Sequence, residues 1–295
     1  MAVLPQLRLS EVGDKFHRRI LRDVAARVDS SGCSVVVHGS ALWGDRSRLR
    51  TGLPISDVDL LVIGESIDHL QCAARELVAP SRSIAEEGIP FLKLSAKFRT
   101  YSELTPEQLT ANEVGAIRLG RRICGRSRIC LPRLCLSWFR DQAVLAARTR
   151  LAYVAKQQSQ AFGHWAETAL LRYLAARVVL DIPTIGLLMS GTTGHSLSWR
   201  VRRFGENGLR QLGLNPAEEA SLISLLRRAI KVKREPDLHS FIELAESILL
   251  FRRLAAALTA CSESILFTSL AWASERPLDL RDRAIWRDAL QECAS

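Results

Sequence analysis

The chain has 295 residues, 47 % of them hydrophobic, with a formal net charge of +10 and a pI near 9.7. That length allows one large or two ordinary domains with real cores, and the unexceptional Gly and Pro content excludes a collagen-like or low-complexity chain. The basic excess points to a polyanionic partner but is spread out: residues 1–130 hold 19 basic and 15 acidic side chains, the remainder 22 and 16.

The opening MAVLPQLRLSEVGDKFHRR has no long uncharged stretch. No later apolar run reaches the ~18 residues of a membrane span. A cytoplasmic protein with no membrane partner is therefore expected. From Ser10 to Val28, Val12, Phe16, Ile20, Val24 and Val28 recur every fourth residue, which predicts an amphipathic helix. Cys33 to His38 is short, β-branched and apolar, as a buried strand should be, and Gly39-Ser40 ends it. A second buried strand is expected at Val58 to Ile63, closed by Gly64. A helix then starts at Ser66, with Ile67, Leu70, Ala74 and Leu77 on one face, and stops at Pro80. From Phe91 to Phe98, Leu92, Leu94, Ala96 and Phe98 alternate with Lys93, Ser95 and Lys97, a third strand.

After Pro132 the spacing turns helical, over 135–160, 164–180, 216–232, 237–260 and 262–274, with a Gly/Ser/Thr-rich interruption from Asp181 to Asn207. The expected architecture is an α/β N-terminal domain over 1–130, a small mixed sheet with flanking helices, followed by an all-α helical domain over 131–295 that binds the acceptor.

Two aspartates separated by one residue on a strand point to one face, so Asp57 and Asp59 can share a divalent cation. Gly39 after a strand lets backbone approach a phosphate, and Ser40 adds a hydroxyl. Nucleotidyl transfer needs such parts: a cradle for triphosphate oxygens, and carboxylates holding metal that neutralises charge at the α-phosphorus. The run VVVHGSALWGDRSRLRTGLPISDVDLLVIG resembles the nucleotidyltransferase superfamily of polymerase β, poly(A) polymerases and aminoglycoside nucleotidyltransferases. The resemblance covers about the first 125 residues. It implies that Asp57 and Asp59 are catalytic metal ligands for Mg²⁺ or Mn²⁺. Gly39 and Ser40 would bind the nucleotide, with Lys93 and Lys97 as phosphate contacts, and an NTP would be the nucleotide substrate.

The chain departs from that family twice. Sixteen residues separate Ser40 from Asp57, and they include the basic insert Arg46-Ser47-Arg48-Leu49-Arg50, a phosphate grip or a solvated loop. The family's third carboxylate, on the next strand, has no counterpart among Lys93, Ser95 and Lys97. Glu87 and Glu103 flank that strand as substitutes.

Several other residues invite attention. His38 either touches nucleotide or packs at a strand end. Arg234 to His239 carries the Arg-x4-His spacing of helical HEPN ribonucleases, with Pro236 against it. Trp165, Arg172 and Arg177 either stack on an acceptor base or are a core tryptophan with surface arginines. His195 lies in a Gly/Thr-rich loop that lacks the lysine of an ATPase phosphate loop. Seven cysteines, without a CxxC pair, are expected to be reduced; Cys124, Cys130 and Cys135 lack zinc-knuckle spacing.

The expected function is Mg²⁺-dependent transfer of NMP from NTP to an acceptor, RNA or tRNA or a protein ahead of a small molecule. The alternatives are a catalytically silent nucleotide-binding regulatory protein and a small-molecule nucleotidyltransferase of the aminoglycoside type.

Overall fold

The computed structural model describes residues 12–43, 47, 57–86, 93–126, 128–158, 164–194, 196–261 and 277–293. Helix α1 (Val12–Val28) leads into β1 (Ser34–His38), a four-residue helix α2 (Ser40–Trp43), β2 (Val58–Gly64), α3 (Ile67–Glu86) and β3 (Leu94–Thr100). Then come α4 (Ala111–Leu119), β4 (Arg121–Cys124), α5 (Leu136–Gln158), α6 (His164–Met189), α7 (Leu197–Asn207), α8 (Pro216–Arg234), α9 (Leu244–Thr259) and α10 (Pro277–Glu292).

The four strands form one mixed sheet in the order β3-β2-β1-β4. β1 runs antiparallel to both β2 and β4, while β2 and β3 are parallel, joined by α3 as a crossover helix. Both sheet faces are covered. Val35, Val37, Val58, Leu60, Val62, Leu94 and Phe98 pack under α1 and α3, with Ile20, Val24, Leu70 and Leu77. On the other face Val36, Leu61 and Ile63 join the core of α4, α5, α6, α8 and α9. By the two-residue alternation, Asp57 and Asp59 share this second face with Leu61 and Ile63. The carboxylates therefore look towards the helical half.

The helix expected to stop at Pro80 runs on to Glu86. Pro80 is itself buried, and α3 lies between α1 and α10. Packing along its length outweighs the one hydrogen bond that proline removes. Likewise α6 continues through Pro183 to Met189, and α7 forms within the Gly/Ser/Thr-rich stretch from 181 to 207, its start capped by Ser196. The third strand begins at Leu94 and extends to Thr100, shifted from the expected 91–98. The segment expected to be helical at 262–274 lies outside the described residues.

Helix α10 falls in the span assigned to the helical half, yet Ile285 and Ala289 are buried in the sheet-side core and Trp286 meets Phe98 edge-on at 6.1 Å. Its docking is also ionic. Arg99, fully buried at the edge strand, bridges Asp282 of α10 at 3.0 Å and Glu113 of α4. Glu113 also accepts from the Thr110 amide at 2.6 Å, in the capping box that starts α4. One guanidinium thus ties three elements, with burial opposed by two carboxylates.

Candidate active site

β1 ends and β2 begins at the same end of the sheet, because the two are antiparallel: His38 is the register partner of Asp59. Gly39 follows with φ +70°, a conformation that L side chains rarely adopt. It is also pressed against the acid, since a Cβ there would lie 2.5 Å from Asp59 Oδ2. Ser40 begins α2 directly after it, and the Gly39 carbonyl accepts from the Leu42 amide at 3.2 Å. β3 starts at this end too: the Val58 amide donates to the Lys93 carbonyl at 2.9 Å, and Asp59 is in register with Ser95. Gly39, Ser40, Asp57, Asp59 and Lys93 thus converge on one edge.

Asp57 and Asp59 are both partly buried. Burial first, then the neighbouring Asp59 carboxylate, pushes the Asp57 carboxyl up to about 6, against the pull of Lys93, Arg177 and Lys233. Burial likewise raises Asp59, against Arg177, Lys233, Lys93 and Lys97. Two adjacent, partly buried carboxylates resist ionisation, and hard oxygen donors of this kind suit Mg²⁺ or Mn²⁺. His38 is held neutral: burial, then Lys97, lowers it to about 4, with Glu113 opposing. A neutral imidazole beside Asp59 offers one donor and one acceptor, and no charge.

The far wall comes from the helical half. Arg177 of α6 donates to the Tyr173 hydroxyl at 2.9 Å, and its guanidinium carbon lies 5.4 Å from the Tyr153 ring centroid and 5.8 Å from that of Tyr173. Tyr173 first, with Tyr153, Asp181 and Asp57, shifts the Arg177 guanidinium upward against its burial. Lys233, in the last turn of α8, is buried and acts on both aspartates. Lys93, Lys97, Arg177 and Lys233 thus favour the ionised form of one or both aspartates, and cations of this kind suit a polyphosphate.

Sequence reasoning missed Lys233 and offered Arg177 only as a base-stacking or surface residue. Arg177 sits one turn beyond Tyr173 on a helix of mostly apolar residues, which is the one signal available; Lys233 lies in the run Lys231-Val232-Lys233-Arg234, where nothing marks one lysine over another. Lys97 is shared: its ammonium also pairs with Asp279 of α10 at 3.3 Å.

Glu103 does not supply the third acid. It lies beyond Thr100, at the opposite end of β3 from the Asp59-Ser95 pair, roughly 16 Å of strand away at ~3.3 Å per residue. There it is taken up by Arg281 and by the Thr100 amide at 2.7 Å. These hydrogen bonds outweigh burial and hold its carboxyl below the ordinary range. Glu87 and the Arg46 to Arg50 insert, apart from the buried Ser47, lie outside the described residues, as do His195 and the Trp165 side chain. Among the described residues no group of three His, Cys, Asp or Glu side chains could hold a metal. Cys124, Cys130 and Cys135 are free thiols. Arg234 closes α8 and Pro236 starts a turn, so Arg234 and His239 do not share a helical face; His239 faces Glu235 at 3.7 Å instead. No helix among the described residues is long and apolar enough to cross a membrane.

Comparison with family models, curated proteins and solved structures found no match for this chain.

Proposed function

We propose that the chain is a divalent-cation-dependent nucleotidyltransferase that moves an NMP from an NTP to an acceptor and releases pyrophosphate. The observation that carries this reading is the pair Asp57 and Asp59, crowded on one strand end, pressed against Gly39 and favoured in ionised form by cations from both halves of the chain.

The residues divide the work. Asp57 and Asp59 would hold Mg²⁺ or Mn²⁺ through carboxylate oxygens, the remaining positions being filled by substrate phosphate and water, as is usual for Mg²⁺. The bound cation supplies charge neutralisation at the α-phosphorus and the bridging oxygen. Gly39, lacking a Cβ, lets the Asp59 carboxylate sit against the turn, and the Ser40 hydroxyl would donate to a phosphate oxygen. Lys93 and Lys97 reach the phosphates from the sheet edge, and Arg177 and Lys233 from the helical wall. The acceptor oxygen then bonds to the α-phosphorus as the bond to the β-phosphate oxygen breaks, the acceptor proton passing to water or to a substrate phosphate oxygen, and Lys93, Lys97, Arg177 and Lys233 receive the charge of departing pyrophosphate. Arg177 is fixed by Tyr153 and Tyr173 before substrate arrives, so little reorganisation accompanies the reaction.

A second reading rests on one observation: Glu103, the candidate third carboxylate that the structure describes, is committed to Arg281. A chain without a base for the acceptor proton would bind nucleotide as a regulator and not turn it over. Equilibrium binding of a labelled NTP with Mg²⁺, run beside product analysis, separates the two. Metal-dependent binding with product in the wild type, and neither in Asp57→Asn/Asp59→Asn, supports the transferase. Metal-dependent binding without product under any acceptor supports the regulator. Binding that is indifferent to metal and to both aspartates would contradict both.

A further inference from the structure

Residues 114–140 contain seven arginines (118, 121, 122, 126, 128, 133 and 140) and neither an acid nor a lysine. In a chain with 31 acidic residues, such a run is not the average surface. The fold lays its centre along β4, the edge strand next to β1. Arg121 is the register partner of Val37, one residue before His38, so β4 starts at the sheet end that carries Asp57 and Asp59. Beside it opens a groove of about 570 Å³, lined by Val36, Ile117, Gly120, Arg121, Arg122 and Arg128. Val36 shares a sheet face with His38, two residues further along β1, and with its own β4 partner Arg122, while Arg121, the partner of Val37, alternates to the other face and borders the groove at the start of β4.

The arginines of this run are not used alike. Arg126 is neutralised by Glu65 and stacks over the Tyr101 ring at 4.6 Å, and Arg118 lies over Phe139 at 5.9 Å. The guanidinium groups of Arg121 and Arg128, which line the groove, have no ion pair or hydrogen bond among the described residues. Unpaired guanidinium groups in a groove with some apolar floor match a phosphodiester backbone with unstacked bases. The fork geometry binds phosphate oxygens two at a time, and its plane stacks on bases. Among the described residues no further strand pairs with β4 beyond β1.

We propose that this arginine-lined groove holds the phosphodiester backbone of a single-stranded RNA acceptor and leads its end towards Asp57 and Asp59. The direction of the track rests on the nucleotidyltransferase reading; the binding itself does not. The groove would read backbone and not sequence, since its donors are charges and it offers few neutral hydrogen-bonding side chains.

The test is fluorescence anisotropy of a short labelled, unstructured oligoribonucleotide in EDTA, without nucleotide, across a series of salt concentrations. Wild type is expected to bind, and Arg121→Gln/Arg128→Gln to bind roughly tenfold more weakly near 0.1 M salt. The slope of log affinity against log salt should flatten by about 1.4, roughly 0.7 for each phosphate no longer neutralised. Arg128→Glu, at an exposed position, keeps the test decisive should the double variant fail to fold, and is expected to weaken binding at least as much as removal of one guanidinium. RNA affinity unchanged in both arginine variants overturns the proposal. So does an absence of RNA binding at low salt, or capture of an acidic polypeptide in preference to RNA. Arginine-dependent RNA binding without any nucleotidyl transfer would instead remove the transferase reading and leave the track standing.

Discussion

The Cβ that Gly39 lacks would lie 2.5 Å from Asp59 Oδ2, so the turn that ends β1 and the acid that opens β2 are built against each other. Alanine at position 39 must both adopt φ +70° and displace that carboxylate. Gly39→Ala is expected to cost about 1–2 kcal/mol of stability from backbone strain. It should lose most Mg²⁺-dependent NTP binding, because the displaced group is the one assigned to the cation. Urea unfolding and nucleotide titration on the same preparation measure the two effects. A variant that loses the stability and keeps the binding would separate Asp59 from the site.

The pH dependence of stability carries the signature of the crowded carboxylates. Asp57 has its folded value raised from 3.8 to about 6, so the folded state binds the extra proton between those values. Its ionisation therefore removes stability as pH rises through about 4 to 6, by linkage. His38 is lowered from 6.5 to about 4 and has the opposite sign, losing stability as pH falls through that window. The two slopes oppose each other in the metal-free protein. Asp57→Asn in EDTA should raise the melting temperature at pH 7.5 by a few °C, on the order expected for 1–2 kcal/mol in a chain of this size, and leave the acid-side loss due to His38 exposed. Mg²⁺ should raise the wild-type melting temperature at pH 7.5 and have little effect near pH 4.5.

Arg177 and Lys233 come from the helical half and are assigned to the polyphosphate. Arg177→Met and Lys233→Met, each retaining an apolar stem of similar length, are expected to weaken NTP binding by about 10- to 100-fold, the range of a hydrogen bond to a charged group. Each should also push Asp57 further up, since a cation that favours its ionised form is gone. A monophosphate should feel the loss less than a triphosphate. Equal losses for both ligands would place these residues elsewhere than on the phosphate chain.

The tie between the sheet and the last helix is expected to be worth more than a surface pair. Arg99 is fully buried between Glu113 and Asp282, and removing Asp282 leaves it one carboxylate where it had two and takes away a charged hydrogen bond. Asp282→Ala should cost about 1.5–3 kcal/mol, measured by chemical unfolding. An effect under about 1 kcal/mol, the range of exposed pairs, would show that the network is solvated.

Much of the sheet is readable from local pattern. Val35 to Val37, Val58 and Leu60 to Ile63 are apolar because both sheet faces are covered, and the Asp57/Asp59 spacing alone implies a shared face. What escapes the sequence has tertiary causes. β4 reads Arg-Arg-Ile-Cys, which carries no apolar run, and it is a strand because β1 offers it an edge. Pro80 and Pro183 signal helix ends, and packing of α3 and α6 overrides them. Arg177 and Lys233 lie more than a hundred residues from the aspartates, so only the fold could assign them. The return of α10 to β3 depends on Arg99 meeting Asp282, a pairing no sequence period announces.

The most direct test of nucleotidyl transfer is to follow two labels at once. Wild type and Asp57→Asn/Asp59→Asn are incubated with Mg²⁺ and each NTP labelled at either the α- or the γ-phosphate, with RNA, cell protein and small-molecule acceptors. Nucleotidyl transfer predicts α-label in the acceptor, γ-label in pyrophosphate, and neither with the variant. Label from the γ-position in the acceptor, or transfer that survives loss of both aspartates, would contradict it.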